Sequence, residues 1–269
     1  MIPTAAITAW RAHAPWIDDA QVEQDLALSR ALVELFSEPI IAGHLAFRGG
    51  TALNKLHFVP PARYSEDLDL VQVVPGPLGE IMGAVRGRLG PWLGEPKWKQ
   101  TQGRVTFVYR FDSEAQPVTS MKLKVEINTR EHFAVLGLAQ RPFAVENPWF
   151  SGACTIPTYE LAELLGTKLR ALYQRRKGRD LFDLHEALER LPDLDPALII
   201  TCFERYMAHG ETPVSRAEFE ANLAAKMALA VFLDDMALLL VPGQTYKPGQ
   251  AHARIQRELL ARLSGGPPE

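Results

Sequence analysis

Two acidic side chains one residue apart, Asp67 and Asp69, are the residues of this 269-residue chain whose type and spacing point most directly to chemistry. In Asp67-Leu68-Asp69-Leu70-Val71 the residues alternate with period two, so on a strand both carboxylates leave one face while Leu68 and Leu70 enter the core. Carboxylates held this way suit Mg2+, or Mn2+ in its place, because hard divalent cations take oxygen donors and commonly share them with substrate phosphates. Upstream, Leu45 and Phe47 suggest a short strand, Gly49-Gly50 a turn, and Thr51 the N-cap of a short helix carrying Leu53 and Leu56. A strand-turn-helix junction leaves backbone N–H groups at the helix start, and glycines let a phosphate approach them closely. Gly-Gly alone is usually a turn, and Asp-x-Asp alone is usually a solvated strand face. It is their order and spacing, with Arg63 and Ser65 between them, that single out residues 47–71.

Two later positions belong with this stretch. The clearest alternation in the chain is Met121 to Asn128, where Met121, Leu123, Val125 and Ile127 face inward and Lys122, Lys124, Glu126 and Asn128 share the other face. Glu126 is then either a strand-surface residue paired with Lys122 or Lys124, or a third carboxylate beside Asp67 and Asp69. Lys168 falls inside an apolar stripe made by Leu161, Leu164, Leu165, Leu169 and Leu172. Such a lysine either snorkels to water or points into a cleft that holds phosphate. It opens a run of cations, with Arg170, Arg175, Arg176, Lys177 and Arg179, that reads as a grip on triphosphate or RNA, or as a solvated helix end complementing the dipole. Asp180 follows, suited to orienting Lys168 or an arginine, or to capping the next helix.

Together these motifs resemble the nucleotidyltransferase superfamily and, within it, the AbiEii/AbiGii (MenT-like) toxins of bacterial toxin-antitoxin and abortive-infection systems. The resemblance rests on Arg48-Gly49-Gly50-Thr51-Ala52-Leu53, Arg63-Tyr64-Ser65-Glu66-Asp67-Leu68-Asp69, Lys124-Val125-Glu126-Ile127 and Arg179-Asp180-Leu181-Phe182-Asp183-Leu184, and spans roughly residues 47–184. Many superfamily members carry Gly-Ser where this chain has Gly50-Thr51, a departure that keeps the hydroxyl. The resemblance implies Mg2+-dependent transfer of a nucleoside monophosphate from an NTP to an acceptor hydroxyl. Asp67, Asp69 and Glu126 would hold metal, and Gly49, Gly50, Thr51 and Ser65 would bind nucleotide. Lys168 would contact its phosphate, and Asp180 would be required for activity. It implies a toxin that blocks translation, with the tRNA 3′ end as acceptor and a separately encoded antitoxin of AbiEi type as partner. The other readings are transfer to a protein or small-molecule hydroxyl, and a nucleotide-binding regulator that performs no transfer.

The elements that must position these residues suggest an α/β (α+β) fold, a nucleotidyltransferase-type mixed sheet with flanking helices followed by a C-terminal helical bundle. The pattern turns irregular between Glu131 and Pro157, which puts the nucleotidyltransferase domain at 1–152 and the helical subdomain at 153–269. Helices are expected from Asp18 to Phe36 and from Leu78 to Leu89, the second closed by Gly90-Pro91. Thr158 is read as the cap of the Lys168 helix, and further helices run from Asp195 to His209, Ser215 to Leu240 and Gln250 to Leu263. Residues 264–268 read as a frayed tail. Arg104 to Phe111 is expected as a strand joined to the Glu126 strand by a hairpin turn at Asp112 to Pro117.

Composition sets the outer limits. With 47% hydrophobic and 23% charged residues the chain is an ordinary globular protein, and a net charge of -3 argues against broad, non-specific coating of nucleic acid. The N-terminus lacks a signal-peptide progression, and Asp234 and Asp235 interrupt the most apolar late segment, so the expected location is the cytoplasm, with no membrane partner. Cys154 and Cys202 stand far apart without metal-ligand spacing and read as core thiols.

Overall fold

A computed structural model describes residues 2–114 and 117–263, so the tail expected over 264–268 lies outside the described residues. The chain forms two compact units, Met1–Tyr159 and Glu160–Glu269.

In the first unit, α1 (Thr4–Trp10), α2 (Asp19–Phe36) and α3 (Pro39–His44) precede β1 (Leu45–Arg48), α4 (Gly49–Leu56) and β2 (Asp67–Gln72). There follow α5 (Gly79–Leu93), β3 (Lys97–Thr101), β4 (Arg104–Asp112), β5 (Ser120–Asn128), β6 (Leu138–Asn147) and β7 (Phe150–Tyr159). The strands make one mixed seven-stranded sheet in the order β3-β4-β5-β2-β1-β7-β6. Its parallel pairs are β2 with β5 and β1 with β7, and its other neighbours are antiparallel.

Side-chain alternation decides the two faces. Val105, Phe107, Tyr109 and Phe111 on β4 and Leu123, Val125 and Ile127 on β5 are buried, and α2 and α5 lie against them: Gln24 Nε2 donates to Lys122 O at 2.9 Å and Tyr109 Oη to Val85 O at 3.5 Å. Asp18 caps α2 by accepting from Ala20 N, as its place before the apolar run predicts. Pro91 lies within α5 rather than ending it. In the last turn a proline forfeits a single helical bond, so the helix runs on to Leu93.

The stretch that reads as irregular forms the β6–β7 hairpin. Pro142 falls on β6, the sheet's edge strand, where prolines are tolerated. Thr158, expected as a cap, is a β7 residue whose Oγ1 donates to Phe47 O at 2.6 Å and so fastens β7 to β1.

In the second unit, α6 (Leu161–Gln174), α7 (Gly178–Arg190), α8 (Pro196–His209), α9 (Arg216–Met227), α10 (Ala230–Leu233) and α11 (Pro248–Glu258) pack as a helical bundle. Ser215 and Glu218 form the expected capping box at α9. The helix foreseen from Ser215 to Leu240 is nevertheless broken, because Leu229 is extended (φ −100, ψ 120) and turns the chain so that Phe232 becomes buried. Leu260–Arg262 likewise tightens into a 3₁₀ turn after α11. No helix among the described residues is long and apolar enough to cross a membrane.

Candidate functional site

In the first unit, strand register brings the carboxylates together. Parallel pairing sets Asp69 of β2 opposite Glu126 of β5 and Asp67 opposite Lys124, while antiparallel pairing sets Arg48 of β1 opposite Asp69. Asp67, Asp69, Lys124 and Glu126 therefore share one sheet face, with Leu68, Leu70, Val125 and Ile127 buried behind them. Lys124 Nζ lies 3.1 Å from Glu126 Oε2 and 3.5 Å from Asp67 Oδ2, and Arg104 Nε lies 3.3 Å from Glu126 Oε1. The two readings of Glu126 hold at once, since it is paired with a lysine and stands beside the aspartates.

The charges acting on this cluster are unequal. Desolvation first, and then the Asp67 charge, raise the Asp69 carboxyl above the usual range against the opposing pull of Arg48. Burial disfavours the Lys124 ammonium, but Asp67 and Glu126 more than offset it and raise its pKa. Arg48 is held by Glu131, Nη1 to Oε2 at 2.5 Å, which overcomes its own burial and raises its pKa further.

The glycine turn meets this cluster directly. Gly49 has φ +83, and a Cβ built there would sit 2.4 Å from Asp69 Oδ2, so the carboxylate rests against a backbone that only glycine leaves open. The helix begins at Gly49 with Arg48 as its N-cap, and Thr51 is inside the first turn rather than capping it. Its buried hydroxyl donates to Asp67 O at 2.6 Å; since a carbonyl can only accept, Ser65 Oγ donates to Thr51 Oγ1, also at 2.6 Å. Thr51 and Ser65 thus tie the start of β2 to the first turn of α4, next to Gly50.

Asn54 is a residue that sequence reasoning missed. Its Oδ1 accepts from Ala62 N (2.9 Å) and Arg63 N (3.1 Å) while its Nδ2 donates to Gly50 O (2.9 Å), which sets the loop leading into Asp67 against the glycine turn. An asparagine in the first helix after the turn was the available signal. Arg63 is itself buried, with Nη1 donating to Tyr64 O at 2.9 Å.

The second unit gathers the other predicted residues. Lys168 neither snorkels nor stands in the open: it is 4% exposed, with Nζ 3.1 Å from Asp180 Oδ1 and 2.9 Å from Asp183 Oδ2, both carboxylates being fully buried. Arg175 adds a fork to Asp180, Nε to Oδ2 at 2.6 Å and Nη2 to Oδ1 at 2.7 Å. Burial pushes the Asp180 carboxyl up, but Lys168 and Arg175 outweigh it and hold it below the usual range. Asp180 lies in the first turn of α7, whose N-cap is Lys177, so its carboxylate serves the cations rather than the helix end. Arg179 pairs with Asp235, so part of the basic run is spent on internal pairs.

The family model for the nucleotidyl transferase AbiEii toxin of type IV toxin-antitoxin systems matches residues 30–246. The chain belongs to the AbiEii toxin family. It is accordingly a nucleotidyltransferase, of a family whose toxins act opposite an antitoxin. Among solved structures the nucleotidyltransferase toxin MenT4 of Mycobacterium tuberculosis is similar at 20% identity, over 96% of this chain and 88% of that one, with a TM-score of 0.68, and this likeness shows the same fold. An antigenic nucleotidyltransferase-like protein of Paracoccidioides brasiliensis matches at 16% identity over 73% of this chain and 92% of that one, with a TM-score of 0.38. No curated protein matches the sequence.

AbiEii-type transferases generally use an NTP and a divalent metal. Among the described residues no three His, Cys, Asp or Glu side chains converge at metal-ligand distances. The donor set nonetheless fits a hard cation: three carboxylates share one face, and the Lys124 ammonium lies between two of them.

Proposed function

We propose that this AbiEii-family transferase moves a nucleoside monophosphate from an NTP to the 3′ hydroxyl of tRNA in a Mg2+-dependent reaction, acting in the cytoplasm as a toxin that blocks translation. A separately encoded antitoxin of AbiEi type would be its partner. The observation that carries this reading is the registered row Arg48–Asp69–Glu126 with Gly49 against the Asp69 carboxylate, which supports a metal-and-phosphate site at the start of α4. Bound by Asp67, Asp69 and Glu126, a divalent cation supplies charge neutralisation at the triphosphate. First-turn N–H groups at Gly49, Gly50 and Thr51 bind phosphate oxygens, and the Thr51–Ser65 hydroxyl pair keeps that turn in register with Asp67.

In the transfer, the acceptor hydroxyl oxygen bonds to the α-phosphorus as the bond to the bridging oxygen of the β-phosphate breaks. Pyrophosphate leaves, and an aspartate accepts the hydroxyl proton. Lys168 is assigned to phosphate charge and Asp180 to holding it, and the contacts among Lys168, Asp180 and Arg175 support the second of these roles.

The test is incorporation of each α-labelled NTP into purified tRNA with Mg2+, comparing wild type with Asp67→Asn. Label with wild type alone is the expected result. Wild-type rates in Asp67→Asn would remove the metal site, and NTP turnover without tRNA labelling would move the acceptor to a protein or small-molecule hydroxyl.

A further inference from the structure

The face that carries the carboxylates continues across β5, β4 and β3, and its composition changes there. Register extends the Asp69–Glu126 row through Thr106 to Lys99, and the Asp67–Lys124 row through Val108 to Lys97. Arg110 stands opposite Lys122 in the next row, and Arg104 opposite Asn128 on the other side. Every inward neighbour on β4 and β5 is buried, whereas Lys97, Lys99, Arg104, Arg110 and Lys122 are exposed and Lys124 is half-buried. Six cations thus lie on one open face of three strands, against Glu126 and Asp112 there, in a chain whose acids outnumber its bases 32 to 29. At Arg110 and Lys122 the face borders a cleft of about 410 Å³ that also includes Tyr64, Glu66 and Ser120.

We infer that this β3–β4–β5 face is the docking surface for the phosphate backbone of the RNA acceptor, an inference that rests on the transferase reading and specifies where its acceptor lies. The charge pattern favours a nucleic acid over an acidic protein. An acidic protein face would bring carboxylates against Asp67, Asp69 and Glu126. A nucleic-acid strand instead ends in an uncharged hydroxyl with evenly spaced phosphates behind it, matching the acids gathered where β2 meets β5 and the excess of cations across the rest of the face. The cations are spaced for such a backbone: neighbouring strands are ~4.8 Å apart and alternate residues of one strand ~6.7 Å apart.

The experiment is fluorescence anisotropy of labelled tRNA and of a short single-stranded RNA, measured against salt without NTP or metal. Wild type is compared with a variant combining Lys97→Gln, Lys99→Gln, Arg110→Gln and Lys122→Gln, all solvent-exposed positions. If these four cations each meet a phosphate, wild-type affinity falls by roughly 50-fold between ~50 and ~200 mM salt through them alone, and the variant loses most of that dependence. The variant is expected to bind RNA at least ~10-fold more weakly at ~50 mM salt, with NTP affinity by calorimetry and melting temperature unchanged. RNA binding equal to wild type overturns the inference. So does a variant that loses affinity for the antitoxin while keeping RNA, because the face is then the antitoxin's. If RNA binding depends on the four cations but no label enters RNA in the transfer assay, the docking surface stands and the acceptor reading falls.

Discussion

Replacing Lys168 by methionine keeps an unbranched apolar stem and removes the ammonium, which separates a structural ammonium from one held for substrate. In wild type that ammonium lies 3.1 Å from Asp180 and 2.9 Å from Asp183, at 4% exposure, between two carboxylates with none. Taking one partner out of a buried ion network costs about 3–5 kcal/mol, because the remaining charges stay desolvated. The lower end applies here, since Arg175 still holds Asp180 through two hydrogen bonds. For a unit the size of Glu160–Glu269, about 3 kcal/mol corresponds to a fall of roughly 12 °C in melting temperature.

The pH dependence follows from the Asp180 shift. Its folded pKa is depressed, so its stabilisation is complete above the unfolded value of about 4 and is lost as pH falls through the lower folded value. The gap between wild type and Lys168→Met is therefore full at neutral pH and narrows below about pH 4. Thermal melts of both proteins, followed by circular dichroism across that range, measure it. A variant that melts within about 2 °C of wild type at neutral pH, even with transfer abolished, would refute the buried-network argument and leave Lys168 as a purely substrate-directed charge.

Gly49→Ala introduces a Cβ 2.4 Å from Asp69 Oδ2 at φ +83, so the carboxylate must retreat by about 1 Å to reach ordinary contact. A displacement of that size is expected to lower transfer by roughly 100-fold, and the left-handed backbone to cost about 1–2 kcal/mol; steady-state rates and melting curves check the two effects. Lys124→Met removes the ammonium between Asp67 and Glu126. Mn2+ affinity, followed by electron paramagnetic resonance, is expected to rise by up to about fivefold, the ~1 kcal/mol scale of a partly exposed pair, and unchanged affinity would show that this lysine does not compete with metal.

How much of the site was legible depended on whether one strand or two carried the information. Period-two alternation alone assigns Asp67 and Asp69 to one face of β2 and Glu126 to the polar face of β5, because the apolar partners of each can only point inward. That β2 and β5 pair in parallel, with Asp69 opposite Glu126, is a long-range choice absent from either pattern. The lysine in the α6 stripe was visible as an anomaly, yet its two carboxylates come from the next helix and required the bundle to bring them in.

Two of the strands that escaped notice, β3 and β6, share a physical cause. Lys97–Thr101 is exposed at every position and β6 buries only Val145 and Asn147 at its end, so neither carries the apolar alternation that marks a half-buried strand. Edge strands are held by backbone pairing and have little need of an apolar face, and this same freedom lets β3 carry Lys97 and Lys99 on the carboxylate face. The feature that hid β3 from the hydrophobic pattern is thus the one that equips it to meet a polyanion, and exposed cations on an edge strand also discourage edge-to-edge pairing with another sheet. The two roles part experimentally, because Lys97→Gln with Lys99→Gln would promote self-association if the charges only protect the edge, and would weaken RNA binding in a monomeric protein if they serve the acceptor.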